Sequence, residues 1–260
     1  MQITAKLTTL DQLAPWREMY RKEMNCQIIH DSIHSRPGWT LEYVLMVDQE
    51  MVGYGSVAVA GPWKTSPVIY EFFVRRQSRL HLFTCFLALC AVSGVNRIET
   101  QSNDVLLTGM LHTFADEAKA ESILFRDELT TALSVPGGLF RGATAADLPE
   151  ISVEQLPAHG VIVVEGAVVA TGGILFHYNR PYGDIYMEVI EPFRKRGLGS
   201  FLVQELKRVC YELGSVPAAR CNPANTASRQ TLQKAGFVPC GHILGGVLQP
   251  RHCDAGRTLT

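Results

Sequence analysis

Between Val189 and Ser200 the chain reads V-I-E-P-F-R-K-R-G-L-G-S, a segment that leaves few choices of fold. The alternation from about Asp184 to Ile190 predicts a strand, and Pro192 ends it because proline has no N–H to give a ladder. Beyond the glycines, Phe201, Leu202, Leu206, Val209, Cys210 and Leu213 recur at helical spacing, with Gly214 as a left-handed stop. A strand must therefore pass into a helix through a turn holding two glycines. The amides of such a first helical turn have no partners within the helix. With the positive end of the helix dipole they make a site for an anion. Gly197 and Gly199 remove the Cβ atoms that would hold a phosphate off the backbone, and Arg194, Lys195 and Arg196 add charge there.

The flanking sequence extends this unit. Val161 to Glu165, Gly166 and Ala167 to Ala170 read as a β-hairpin, and Gly172-Gly173 predicts a bulge or a close backbone approach. Val216 to Cys221 is short and extended. Asn225 is a good N-cap for a helix over Thr226 to Ala235, which Gly236 ends. Strands followed by alternating helix and strand give an α/β domain with a mixed sheet.

The first half follows the same order. Tyr43 to Val47 and Met51 to Ala60 predict a hairpin, Val68 to Val74 a strand, Leu80 to Val92 a helix, Arg97 to Gln101 a strand, and Asp104 to Lys119 a helix. One offset of 115 positions carries Val74 onto Val189, Arg79 onto Arg194 and Phe86-Leu87 onto Phe201-Leu202. The sequence therefore predicts two tandem copies of one domain, over residues 1–134 and 139–250. The linker is expected near Ser134-Val-Pro-Gly-Gly138.

The R-x-x-G-x-G segment at a strand-to-helix junction resembles the acyl-CoA pyrophosphate loop of the GNAT superfamily of N-acyltransferases. The segment Asn225-Thr-Ala-Ser-Arg-Gln-Thr-Leu-Gln-Lys-Ala-Gly-Phe237 resembles the second motif of that family, N-x-x-S/A…K-x-G-F. The resemblance implies two tandem GNAT-like domains, each a twisted mixed sheet flanked by helices. It implies acetyl-CoA as cosubstrate, cradled by the amides of about Lys195, Arg196, Gly197, Leu198, Gly199 and Ser200, with Arg194 beside them. Val189 would pair through its backbone with the pantetheine arm, Asn225 would bind the pantetheine or adenosine side, and Ser228 would face the cofactor. Two positions depart from the family pattern: Glu191 stands where proline is common, and Leu232 where a tyrosine often protonates the leaving thiolate.

Direct transfer to an amine needs no covalent nucleophile, so Cys210 and Cys221 read as core residues. The site needs a base for the amine and donors for the oxyanion. Glu188, on the strand beside the expected thioester, is the first candidate base, although alternation puts it on the face opposite Met187 and Val189. His177 and Tyr178, at the end of the preceding strand, are the alternatives. Tyr182, Tyr186 or a water could replace the missing acid.

In the first copy the offset puts Leu82 and Thr84 where Gly197 and Gly199 stand. Their side chains would crowd a phosphate, so this copy resembles a degenerate GNAT domain. The stretch Asn25 to Thr40, with His30, Asp31, His34, Arg36 and Trp39, is polar and aromatic enough to line a cleft. His30 with His34, and Cys240-x-His242 with His252-Cys253, are spaced as candidates for a metal. No metal is assigned.

A net charge of −1 gives no electrostatic reason to expect nucleic acid or an anionic membrane as partner. The longest apolar stretches are too short to span a bilayer, and the N-terminus lacks a signal layout. Seven cysteines without a C-x-x-C pair fit a reduced, cytoplasmic protein. The expected function is transfer of an acetyl group to a small-molecule or peptide amine. A non-catalytic acyl-CoA-binding module is the rival reading. A nucleotide-binding loop of another kind is disfavoured because neither the P-loop nor the dinucleotide pattern is present.

Overall fold

The computed structural model describes residues 1–27 and 30–249, so His252 and Cys253 lie outside the described residues. The chain divides into two compact units. Unit 1 holds 1–121 together with the segment from 242 onward, and unit 2 holds 122–241.

The elements run β1 (Ile3–Thr8), α1 (Leu10–Met24), α2 (His30–His34), β2 (Thr40–Val47), β3 (Glu50–Ala58), β4 (Val68–Val74), α3 (Leu82–Ser93), β5 (Arg97–Gln101), α4 (Val105–Phe114) and β6 (Ala115–Asp127). They continue β7 (Gly138–Gly142), β8 (His159–Val164), β9 (Ala167–Leu175), β10 (Tyr182–Val189), α5 (Leu198–Glu212), β11 (Val216–Cys221), α6 (Thr226–Lys234) and β12 (Phe237–Leu248).

In unit 1 the strands lie in the order β1-β2-β3-β4-β5-β12. The β4–β5 pair is parallel and the β5–β12 pair antiparallel. Unit 2 has β6-β11-β10-β9-β8-β7, with β10–β11 parallel and β11–β6 antiparallel. Each is a mixed sheet flanked by helices. Each has its own core: Leu13, Tyr54, Phe72, Phe86 and Leu107 are central in unit 1, and Ile162, Val169, Leu202, Leu206 and Phe237 in unit 2.

The division differs from the boundary expected at 134–138. β6 begins in unit 1 and ends against β11, where Ile123 pairs with Cys221 and Arg126 with Ala218. β12 begins in unit 2 and ends against β5, where Ile243 pairs with Gln101 and Val247 with Arg97. Each sheet is therefore completed by a strand segment from the other half of the sequence. Proline and paired glycines mark a turn at 134–138, but they do not mark which ladder a strand joins.

One further expectation is corrected, and one that left two alternatives open is decided. The helix predicted over 104–119 stops at Phe114, and Ala115–Asp127 is a strand. Asp104 caps α4, accepting from the amides of Leu106 and Leu107. Leu106, Leu107, Met110, Leu111 and Phe114 are buried, whereas A-D-E-A-K-A-E, residues 115–121, offers no large apolar side chain that would pull further turns onto a core. At Gly172-Gly173 the strand shows no bulge but a close approach. A Cβ on Gly172 would lie 2.6 Å from the Tyr186 carbonyl oxygen, and one on Gly173 would lie 2.3 Å from the His159 ring. The register shift of that hairpin falls at Ile162/Val163.

Candidate functional site

The β10–β11 ladder covers only Tyr182 to Asp184. From Ile185 to Val189, β10 keeps β9 as its ladder partner, so its other edge opens into a cleft of about 630 Å³. Ile190 N–H is bonded to the Val169 carbonyl on the β9 side at 3.0 Å. Alternation along the strand therefore turns the Val189 N–H toward the open edge. The Val189 carbonyl faces the same way and accepts the Arg194 Nε–H at 3.0 Å, which ties the loop back onto the end of the strand.

Gly197 has φ +84°, the left-handed conformation that costs a residue with a Cβ about 1–2 kcal/mol. A Cβ on Gly199 would meet Thr231 Cγ2 at 3.2 Å and Met187 Sδ at 3.6 Å. This glycine therefore lets α5 approach both α6 and the strand. With Gly197 as N-cap and no side chain capping it, the first amides of α5 are left for a ligand.

Of the residues expected to hold a cofactor, Val189, Arg194, Lys195, Gly197, Leu198, Gly199, Ser200, Asn225 and Ser228 all line the cleft. Arg196 does not; its guanidinium stacks on Phe193, 5.0 Å from the ring centre. The Oδ1 of Asn225 accepts from the Ser228 amide at 3.0 Å, so that oxygen caps α6. Sequence reasoning gave no role to Lys234, Gln230, Thr231 and Phe193, which also line the cleft. Lys234 closes the last turn of α6 with its Nζ 3.7 Å from the point a Gly197 Cβ would occupy. Its place in the K-x-G-F motif was the available signal.

The three candidate bases separate. Glu188 lines the cleft and is exposed. β10 pairs with β9 without a register shift, so Glu188 lies on the sheet face opposite Met187 and Val189, which pack on α5. His177 and Tyr178 do not line the cleft. His177 Nε2 is 2.9 Å from Asp184 Oδ2, and Asp184 is four residues before Glu188, roughly 13 Å along a strand. Tyr178 is buried, and burial, followed by the Asp184 charge, pushes its hydroxyl well above the usual tyrosine range. Leu232 is 3% exposed, in the core rather than the cleft.

Residues 138–237 match the family model described as the Acetyltransferase (GNAT) family. This part of the chain is a GNAT domain. Solved structures share the fold over nearly the whole chain. A GNAT-family acetyltransferase from Colwellia psychrerythraea has a TM-score of 0.71 at 14% identity, covering 96% of this chain and all of its own. A GCN5-related N-acetyltransferase from Sphaerobacter thermophilus has a TM-score of 0.61 at 12% identity, with 94% of each chain covered. A tandem GNAT protein from the clavulanic acid biosynthesis pathway, in its form without AcCoA, gives 0.53 at 12% identity, covering 94% and 97%. No curated protein matches the sequence.

Unit 1 shows the same sheet opening but has no such glycine loop. β4 and β5 are paired only at Ile69–Ile98, and Arg79 Nε donates to the Val74 carbonyl at 3.0 Å, as Arg194 does to Val189. Leu82 and Thr84 stand where the glycines would be. The face corresponding to that of Glu188 is filled from within. Glu71, fully buried, takes both Nε and Nη2 of Arg17 at 3.1 Å and the Tyr54 hydroxyl at 2.9 Å. It also sits 3.2 Å from His34 Nε2 and 3.2 Å from His30 Nδ1. The second His34 nitrogen lies 3.0 Å from Glu42, which also accepts from Ser56. Burial works to raise the Glu71 carboxyl, but Arg17 and His34 outweigh it and hold it well below the usual range. Burial likewise lowers His34, and Glu71 and Glu42 override it to about 9. The polar stretch 25–40 thus turns His30 and His34 inward instead of lining a cleft, because two buried carboxylates need counter-charges.

Proposed function

We propose that the GNAT domain binds acetyl-CoA through the Lys195–Ser200 loop and transfers the acetyl group to a primary amine of a small molecule or peptide. The observation that carries this reading is the pairing of an anion-ready helix start at Gly197–Gly199 with the open edge of β10. The free α5 amides, Arg194, Lys195 and Lys234 suit a pyrophosphate. The Val189 N–H on the open edge suits an amide of a pantetheine arm or a thioester oxygen. Glu188, which lines the cleft across the sheet from the α5 side, would take a proton from an amine arriving on that face.

Thermal unfolding with acetyl-CoA, CoA, ATP and NADH, on wild type and Gly197→Glu, tests the donor. A ligand specific for the folded state adds about 2.7 kcal/mol at 100 times its Kd. Stabilisation by the two CoA species alone, lost in the variant, supports the reading. Well-folded wild type that shifts with neither at millimolar concentration removes it.

A second reading, an acyl-CoA-binding module without turnover, is favoured by Leu232, whose buried side chain cannot protonate a thiolate. Thiol release from acetyl-CoA in an amine screen separates the two. Binding without release under every amine supports the module.

A further inference from the structure

On the face of the GNAT domain that carries Glu188, one histidine is built in with a ring nitrogen that has no hydrogen-bond partner. His159, on β8, is 4% exposed. Its Nδ1 lies 2.7 Å from the Gln155 carbonyl oxygen. That oxygen can only accept, so Nδ1 carries the proton and Nε2 of the neutral ring presents a lone pair. Nε2 is buried and has no hydrogen-bond partner, so its lost hydration is uncompensated unless a donor fills the place.

The ring reaches across β9 because the residue opposite it is Gly173. A Cβ there would lie 2.3 Å from His159 Cδ2 and 2.7 Å from Nε2. Gly173 is paired in turn with Tyr186 on β10, whose ring meets His159 edge-on with centroids 6.0 Å apart. Tyr186 is 38% exposed, so the ring beside Nε2 is one with room to turn aside. Two residues further along β10, on the same face, is Glu188 at the cleft. One strand spacing across and two residues along puts Nε2 roughly 8 Å from the Glu188 position. The corresponding row of unit 1, Glu42–Ser56–Glu71, is satisfied by Arg17 and His34 from α1 and α2. Between β7 and β8 the GNAT domain has only a 3₁₀ turn at Leu156–Ala158 in place of those helices.

We propose that His159 Nε2 is a specificity-determining acceptor for the amine substrate, receiving an N–H from a second nitrogen of that substrate. The substrate class is then a primary amine with another N–H donor about 8 Å from the reacting nitrogen. This assignment rests on the acetyltransferase reading and selects the acceptor within it. The N–H–bearing nitrogen is held at His159 while the reacting amine stands at Glu188.

The test compares 1,5-diaminopentane with pentylamine, which share a reacting amine and differ in the second nitrogen. Acetyl-CoA turnover is measured with wild type, His159→Asn and His159→Gln. Asparagine keeps a donor for the Gln155 carbonyl and removes the group at Nε2; glutamine places an amide near Nε2. Wild type is expected to favour the diamine at least tenfold in kcat/KM. His159→Asn should reduce that ratio toward one while leaving pentylamine turnover and the acetyl-CoA thermal shift intact, and His159→Gln should retain part of it. A purely structural histidine predicts the reverse ranking of the variants, with both substrates affected equally. Equal use of the two amines by wild type, an unchanged preference in His159→Asn, or no turnover of either amine overturns the assignment. The acetyl-CoA shift, measured in the same samples, reports separately on the donor site.

Discussion

Arg194 donates its Nε–H to the carbonyl oxygen of Val189 at 3.0 Å, and this bond fixes where the glycine loop begins relative to the open strand edge. It is repeated 115 positions earlier, between Arg79 and Val74, in the unit that has no glycine loop. The bond therefore belongs to the geometry of the turn and precedes any use of it for a ligand. Replacing Arg194 by lysine keeps the charge but loses the guanidinium fork. Acetyl-CoA affinity is expected to fall by about fivefold, near 1 kcal/mol, in both Arg194→Lys and Arg194→Met. Calorimetric titration checks this; full affinity in the lysine variant would show that charge alone matters.

Lys234 should act as a charge and not as a fork. Lys234→Met is expected to weaken acetyl-CoA binding by about 1 kcal/mol at low salt, with the deficit shrinking as ionic strength rises. Lys234→Arg should bind nearly as wild type. Titrations at two salt concentrations distinguish this from damage to α6, which would not depend on salt.

Glu188 and the His177–Tyr178 pair make opposite predictions. Glu188→Gln is expected to lower kcat by roughly 10²- to 10⁴-fold, the range for a lost general base, with acetyl-CoA affinity unchanged. His177→Gln and Tyr178→Phe, at the far end of β10, should keep kcat within a few-fold. Steady-state kinetics with one amine decide it, and a larger loss at His177 than at Glu188 would reverse the assignment.

The buried charges of unit 1 give its stability a basic limit. His34 is raised from 6.5 to about 9, so its contribution is complete below pH 6.5 and is lost as pH rises through 9. The loss amounts to at most about 3 kcal/mol. Asp104, which burial raises to about 6 against its cap hydrogen bonds, acts in a more acidic window. Its contribution is lost as pH rises from 3.8 through 6, so it does not interfere above pH 6.5. Urea unfolding at pH 6.5, 8 and 9.5 should show the decline, and Glu42→Gln, which removes one of the two carboxylates on His34, should make it shallower. An unchanged slope in that variant would place the titration elsewhere.

The sequence was most legible where glycine, asparagine and proline punctuate it. Gly197, Gly199, Gly214, Asn225 and Gly236 located β10, α5, α6 and nearly all of the cleft. It was least legible where pairing overrides local preference. A-D-E-A-K-A-E at residues 115–121 has helical composition and becomes strand, because the last core contact of α4 is Phe114. β1 and α1 were not anticipated at all: Pro15 interrupts the helical pattern of α1, whose Arg17 and Tyr20 are buried by partners far along the chain. His159 was invisible for a related reason, since neither Gly173 nor Tyr186 is near it in sequence.

The exchange of strand segments also has a consequence for synthesis. Unit 1 emerges first from the ribosome, but the ladder partner of β5, residues Ile243–Val247, is among the last residues described. Until they arrive, Arg97–Gln101 is an unpaired sheet edge, open to mispairing with another chain. Completion of the N-terminal unit therefore waits until all of unit 2 has been made, and a stop codon anywhere before residue 243 truncates the first half of the protein as much as the second.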